Sequence, residues 1–172
     1  MAKPRWQFVL LFVLALALAL PARADTPLPK NARAEHVVIY KAKRELELWS
    51  GGKLLKTYKV ALGQVPVGPK VRQGDGKTPE GRYLIDSRNS KSQFHLALHV
   101  SYPNAEDRAR AKKLGVSPGG AIMIHGLPKE WAWIGARHRE IDWTAGCIAV
   151  TNPEIEEIWR AVKDGTPVEI KP

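Results

Sequence analysis

The chain holds a single cysteine, Cys147, within Thr144-Ala145-Gly146-Cys147-Ile148, and upstream of it a histidine, His125, followed by Gly126. A lone thiol with a histidine elsewhere in the chain is a candidate catalytic pair. Cysteine attacks carbonyls as the thiolate, and with a free pKa of about 8.5 only a small fraction is ionised at neutral pH. An imidazolium beside the sulfur favours the thiolate, and the same ring later hands its proton to a leaving amine. The glycines fit this chemistry. Gly126 lets the backbone come close, so a main-chain carbonyl there orients the ring in place of a carboxylate. Gly146 leaves its own N–H and that of Cys147 clear to face a developing oxyanion. The competing account of Cys147 is a buried structural thiol, since free cysteine is among the most buried residue types.

Other histidines offer weaker chemistry. His138 lies in the polar stretch Arg137-His138-Arg139-Glu140 and reads as a solvated loop residue. His95-Leu96-Ala97-Leu98-His99 has the outer spacing of a zinc-protease helix, but Leu96 stands where the glutamate base belongs, and no third ligand is evident. No metal is expected. Gly74-Asp75-Gly76-Lys77-Thr78 looks like part of a phosphate loop, yet the required upstream glycine is Val71, so nucleotide binding is not expected either. Nothing in the chain calls for a cofactor.

The elements around these residues read as mainly β. Val37 to Tyr40, Glu45 to Trp49, Leu54 to Leu62, Tyr83 to Ile85, Leu96 to Ser101, Ala121 to Ile124 and Val168 to Ile170 are short β-rich runs, predicting at least seven strands. Gly51-Gly52 between the second and third predicts a tight hairpin. The strand ending at Ile124 holds His125 at its end. Asn104 caps a helix from Ala105 to Leu114. Thr151-Asn152-Pro153-Glu154 supplies cap, early proline and N3 glutamate for a second helix, with Ile155, Ile158, Trp159 and Val162 on one buried face. Residues 63–81, rich in proline and glycine, predict a long ordered loop. The segment with Trp131, Trp133 and Trp143 predicts a mobile flap.

The first residues read as an export signal: Lys3 and Arg5, an unbroken apolar run from Phe8 to Leu20, and Ala22-Arg23-Ala24 as a small-x-small cleavage site. The expected organisation is a signal peptide over 1–24, an irregular arm over 25–34 and one domain over 35–172, exported to the periplasm with no stable membrane insertion after cleavage. One cysteine cannot form an internal disulfide even in an oxidising compartment, so chemistry is the better reason to keep it. The net charge is +10, and Lys3, Arg5 and Arg23 precede the cleavage site, so the remainder stays strongly basic. An anionic partner in the envelope follows. No RNA-binding aromatic motif, zinc-finger spacing or basic helix points to nucleic acid.

His125-Gly126 followed by Thr144-Ala145-Gly146-Cys147-Ile148, with Lys77-Thr78-Pro79-Glu80-Gly81 upstream, resembles the YkuD-type L,D-transpeptidase catalytic domain, and Gly74-Asp75-Gly76-Lys77-Thr78-Pro79-Glu80-Gly81 with Ser101-Tyr102-Pro103-Asn104 resembles its single-domain Gram-negative periplasmic branch. The resemblance runs from about Glu35 to the C-terminus. It implies a mainly β (α+β) sandwich-like fold of mixed strands with two short helices, acting on peptidoglycan stem peptides. By that resemblance Cys147 attacks the diamino-acid carbonyl of a tetrapeptide donor, expels the terminal D-Ala and forms a thioester. His125 is base and then acid, with the Gly126 carbonyl as its orienter. An amine acceptor, a second stem or an envelope lipoprotein, resolves the acyl-enzyme; with water the site is an amidase or hydrolase. Many members carry an arginine two residues after the nucleophile, where this chain has Ala149. Arg137 and Arg139 are the candidate replacements, and Thr144 and Trp143 complete the expected substrate-binding set. A non-catalytic wall-binding module and a zinc-dependent hydrolase using His95 and His99 are the readings from other classes.

Overall fold

The computed structural model describes residues 26–172; the expected signal peptide lies outside them. Eight strands form one mixed sheet: β1 (His36–Tyr40), β2 (Glu45–Ser50), β3 (Lys53–Lys59), β4 (Gly81–Ser92), β5 (His95–Val100), β6 (Met123–His125), β7 (Ile148–Ala149) and β8 (Pro167–Lys171). Their order is β3-β2-β1-β8-β4-β5-β6-β7. The β1/β8 and β6/β7 pairs are parallel and the remainder antiparallel. Helices α1 (Ala105–Lys113) and α2 (Asn152–Ala161) stand where the sequence predicts them.

Local chemistry accounts for the first hairpin. Gly51 and Gly52 both have positive φ, 54° and 71°, which a two-residue turn matching strand twist requires. The sheet then curls until its ends meet. Beyond edge strand β3 the chain peels away, and Ala61 exchanges two backbone hydrogen bonds with Ala149 of the opposite edge strand, β7, at 3.0 and 2.9 Å. Val60, Ala61 and Leu62 are fully buried at this closure. Strand β4 is far longer than its apolar run, because Ile85 and the polar stretch from Ser87 to Ser92 pair with β5 while Gly81 to Leu84 pair with β8. Its polar second half carries no alternating pattern to announce a strand.

Helix α2 buries Ile155, Ile158 and Ala161 and ends against the buried Val162. Its first turn is tied by Glu154, whose carboxylate accepts from the Thr151 N–H (2.9 Å) and hydroxyl (2.7 Å). The mainly β expectation holds, and among the described residues there are three helical segments where the sequence predicts two. The additional one is Lys129–Glu140, a 3-10 segment broken at Gly135 that carries Trp131 and Trp133.

Candidate active site

Cys147 immediately precedes β7, and His125 closes β6. The two strands pair in parallel, with Ile124 opposite Ile148 and His125 opposite Ala149. Cys147 therefore leads directly into the strand whose Ala149 lies beside His125. Both residues line one cleft of about 320 Å³, together with Phe94, Ala97, Ala121 and Met123. The thiol donates to the Ala121 carbonyl at 3.5 Å.

His125 is held from three sides. Its Nδ1 lies 2.7 Å from the Gly126 carbonyl oxygen. That oxygen only accepts, so Nδ1 carries the proton and Nε2 is left with its lone pair. Phe94 covers the ring with centroids 4.4 Å apart, and Trp143 meets it edge-on at 5.8 Å. Gly126 has no room for a side chain: a Cβ there would stand 2.5 Å from Asn152 Oδ1 and 2.9 Å from Ile155 Cγ2. Asn152 Oδ1 also accepts from the Leu127 N–H at 2.7 Å, clamping the backbone beyond the imidazole to the start of α2.

Burial sets the charge state of the pair. It pushes the His125 pKa down, against the opposing hydrogen bond to Gly126. It pushes the Cys147 thiol up, against a backbone hydrogen bond from Met123 and the charge of Lys70. Both shifts favour the uncharged forms, a neutral thiol and a neutral imidazole.

The turn carrying the thiol is braced by segments far away in sequence. Thr144 is buried; its hydroxyl donates to the Cys147 carbonyl at 2.8 Å and accepts from the Gly146 N–H at 3.1 Å. The Gly146 N–H is therefore engaged and does not face the cleft as an oxyanion donor, correcting the expectation from sequence. Gly146 itself has φ 137° and rests against the Lys77 carbonyl. Thr78 Oγ1 accepts from the Gly63 N–H at 3.0 Å. Buried Lys41 donates to the Gly68 and Thr78 carbonyls at 2.7 and 3.0 Å and to Glu80 at 2.7 Å. The Lys77-to-Gly81 motif is thus a buttress for the thiol turn.

The remaining expected residues are placed elsewhere. Arg139 pairs with Glu154 at the start of α2, and Arg137 pairs with Glu140 at 3.2 Å on the exposed surface. Neither lines the cleft of Cys147 and His125, so neither stands in for a charge at the fully buried Ala149. Trp143 packs on His125 and Trp131. His138 is buried, not solvated: Trp143 Nε1–H reaches its Nδ1 at 3.4 Å, and its Nε2 has no partner among the described residues. His95 pairs with Glu156 and His99 with Asp86, so each has a carboxylate partner of its own. Phe94, Asn152 and Lys41 were missed in the sequence. Asn152 was visible only as part of a helix cap, and the others gave no local signal.

A thiol at the start of β7 and an Nδ1-anchored imidazole at the end of β6 share one cleft of a curled mixed sheet. The YkuD family model, described as the L,D-transpeptidase catalytic domain, matches residues 34–170, and the chain belongs to that family. It is 32% identical over 152 residues to the candidate L,D-transpeptidase YafK of Escherichia coli (strain K12), covering 81% of this chain and 54% of YafK. The chain thus spans about half the length of that curated relative. Its fold is similar to the crystal structure of the helical cell shape determining protein Pgp2 from Campylobacter jejuni. There the TM-score is 0.60 at 30% identity, over 81% of this chain and 48% of Pgp2. Bd1075 of Bdellovibrio bacteriovorus shares the fold at a TM-score of 0.57 and 23% identity, over 84% of this chain and 50% of its own. No helix among the described residues is long and apolar enough to cross a membrane.

Proposed function

We propose that this domain is a peptidoglycan L,D-transpeptidase in which Cys147 is the nucleophile and His125 the proton carrier. The observation that carries the reading is the shared cleft, with the imidazole tautomer set by Gly126 so that Nε2 is the basic nitrogen. The thiol proton passes to Nε2 as sulfur bonds to the diamino-acid carbonyl carbon of a stem tetrapeptide. Nε2–H then protonates the departing amine of the terminal D-Ala as the C–N bond breaks, leaving a thioester. An incoming amine reverses the sequence: it attacks the thioester, gives its proton to Nε2, and the thiol is restored. The Cys147 N–H is the backbone donor for the oxyanion, since that of Gly146 is held by Thr144.

The resolving amine is the side chain of a second stem. The amine of an envelope lipoprotein and water are the other nucleophiles the same thioester accepts, and product analysis separates the three. The basic domain, behind an export-type N-terminal sequence, meets the anionic wall in the periplasm. Wall remodelling there reaches cell form, the property for which Pgp2 is named.

The test is intact-mass analysis after incubation with a tetrapeptide muropeptide, followed by identification of released products. A mass increase equal to the acyl fragment, with D-Ala set free, is expected for the wild type and not for Cys147→Ala. Full activity in Cys147→Ala would overturn the reading.

A further inference from the structure

A second cleft, of about 460 Å³, adjoins the first. It shares Ala121 with the cleft of the thiol and includes Ala145, two residues before Cys147, while His125 does not line it. Lys70 is its only ionic lining residue among the described residues, beside Gln73, Ser117 and Gly120. The Lys70 side chain is only 4% exposed, so its charge is placed there by the fold.

The ammonium group is fixed but not saturated. It donates to Asp75 Oδ1 at 2.8 Å and to the Arg72 carbonyl at 3.1 Å, leaving its third hydrogen without a partner among the described residues. Asp75 balances the Lys70 charge, but its carboxylate is also held by the N–H groups of Val71 (2.8 Å), Arg72 (3.0 Å) and Lys77 (3.1 Å), so the free ammonium hydrogen is what the cleft offers a ligand. Burial pushes that carboxyl up, but Lys70 and those three donors outweigh it and hold the pKa at about 2. Lys77, held through its N–H by Asp75, presses its carbonyl against Gly146. The cation is therefore built into the same frame as the thiol turn.

The two clefts divide the reaction between them. His125 must protonate the leaving amine and deprotonate the incoming one, so both amines belong in the cleft it lines. The acyl side of the scissile bond then runs past Ala121 and Ala145 into the second cleft. We propose that Lys70 is a specificity-determining residue there, receiving a carboxylate carried by the acyl portion of the donor stem. This rests on the function proposed above and adds which part of the substrate the second cleft reads. Two carboxylates have the required chemistry: that on the side chain of the diamino-acid residue, and the free one of the residue before it.

Calorimetric binding to Cys147→Ala protein tests the assignment without turnover. Three probes are compared: the complete tetrapeptide stem, the stem with lysine in place of the diamino acid, and the stem with the preceding carboxylate amidated. The complete stem is expected to bind about tenfold tighter, or more, than one of the two truncated probes. Adding Lys70→Met should shrink that ratio to near one, and Lys70→Arg should retain a preference. The probe that loses affinity identifies the carboxylate. Should the Met variant fail to fold, Lys70→Gln, which is polar but uncharged, gives the same comparison. A ratio unchanged by removing the Lys70 charge, or the absence of any preference, overturns the proposal. Lys70-dependent binding in a chain whose thiol is never acylated by the same stems would refute the reaction and leave the assignment standing.

Discussion

The Lys77 carbonyl oxygen stands 2.6 Å from the point a Cβ would occupy on Gly146, so the residue before the thiol is a glycine because a distant backbone leans on it. Its φ of 137° adds a second reason, since L side chains rarely adopt that conformation. Gly146→Ala is expected to lower stability by roughly 3 kcal/mol through strain and overlap. Urea denaturation checks this, and acylation of Cys147 should fall with it as the turn is displaced.

Thr144 bonds both sides of the thiol turn. Thr144→Val keeps the shape but strips the Gly146 N–H and the Cys147 carbonyl of their buried partner, a loss of about 1–3 kcal/mol. Acylation by a stem tetrapeptide should slow by about tenfold or more, while Thr144→Ser restores most of it. Equal loss in both variants would show that the hydroxyl is not what holds the turn.

The thiol and imidazole pKa values are shifted apart by burial, the thiol upward and the ring downward, and this gives a pH signature. Alkylation of Cys147 by iodoacetamide at neutral pH is expected to be slower than that of a small free thiol, and to rise into the alkaline range as the thiolate appears. His125→Gln should leave that alkylation nearly unchanged yet abolish acylation by the stem, where proton transfer to Nε2 accompanies attack. Fast alkylation at neutral pH, lost in His125→Gln, would instead reveal a preformed ion pair.

His138 links stability to pH. Burial first, and then the Arg139 charge and His125, hold its pKa at about 4 against the opposing pull of Glu154, from an ordinary value of 6.5. The unfolded chain binds the proton more readily, so this contribution is complete above pH 6.5 and is lost as the pH falls towards 4. The loss is on the order of 3 kcal/mol. His138→Gln should flatten the wild-type decline in that window, measured by urea midpoints at each pH; the difference between the two curves cancels the parallel contribution of His125.

Lys41 carries the buttress from below. Lys41→Met would leave two carbonyls and the Glu80 carboxylate without their buried cation, a loss of about 3–5 kcal/mol, read as a fall in the thermal midpoint.

What the sequence determined by itself is local. Two glycines with positive φ make the β2–β3 hairpin, Thr151 and Glu154 start α2, and its apolar stripe chooses the buried face, because turn, cap and periodicity involve residues only a few positions apart. The Cys147 and His125 motifs were legible as chemistry for the same reason. Only the tertiary structure decided how these parts meet. A two-residue β7 has too little pattern to be read, yet its parallel pairing with β6 brings thiol and imidazole to one cleft. The curl of the sheet carries Gly63 and the Lys77–Gly81 motif to the thiol turn. Packing beneath Trp143 buries His138, and the start of α2 draws Arg139 away to Glu154. Contacts between segments so far apart along the chain depend on closure of the whole sheet, and no single window of sequence contains them.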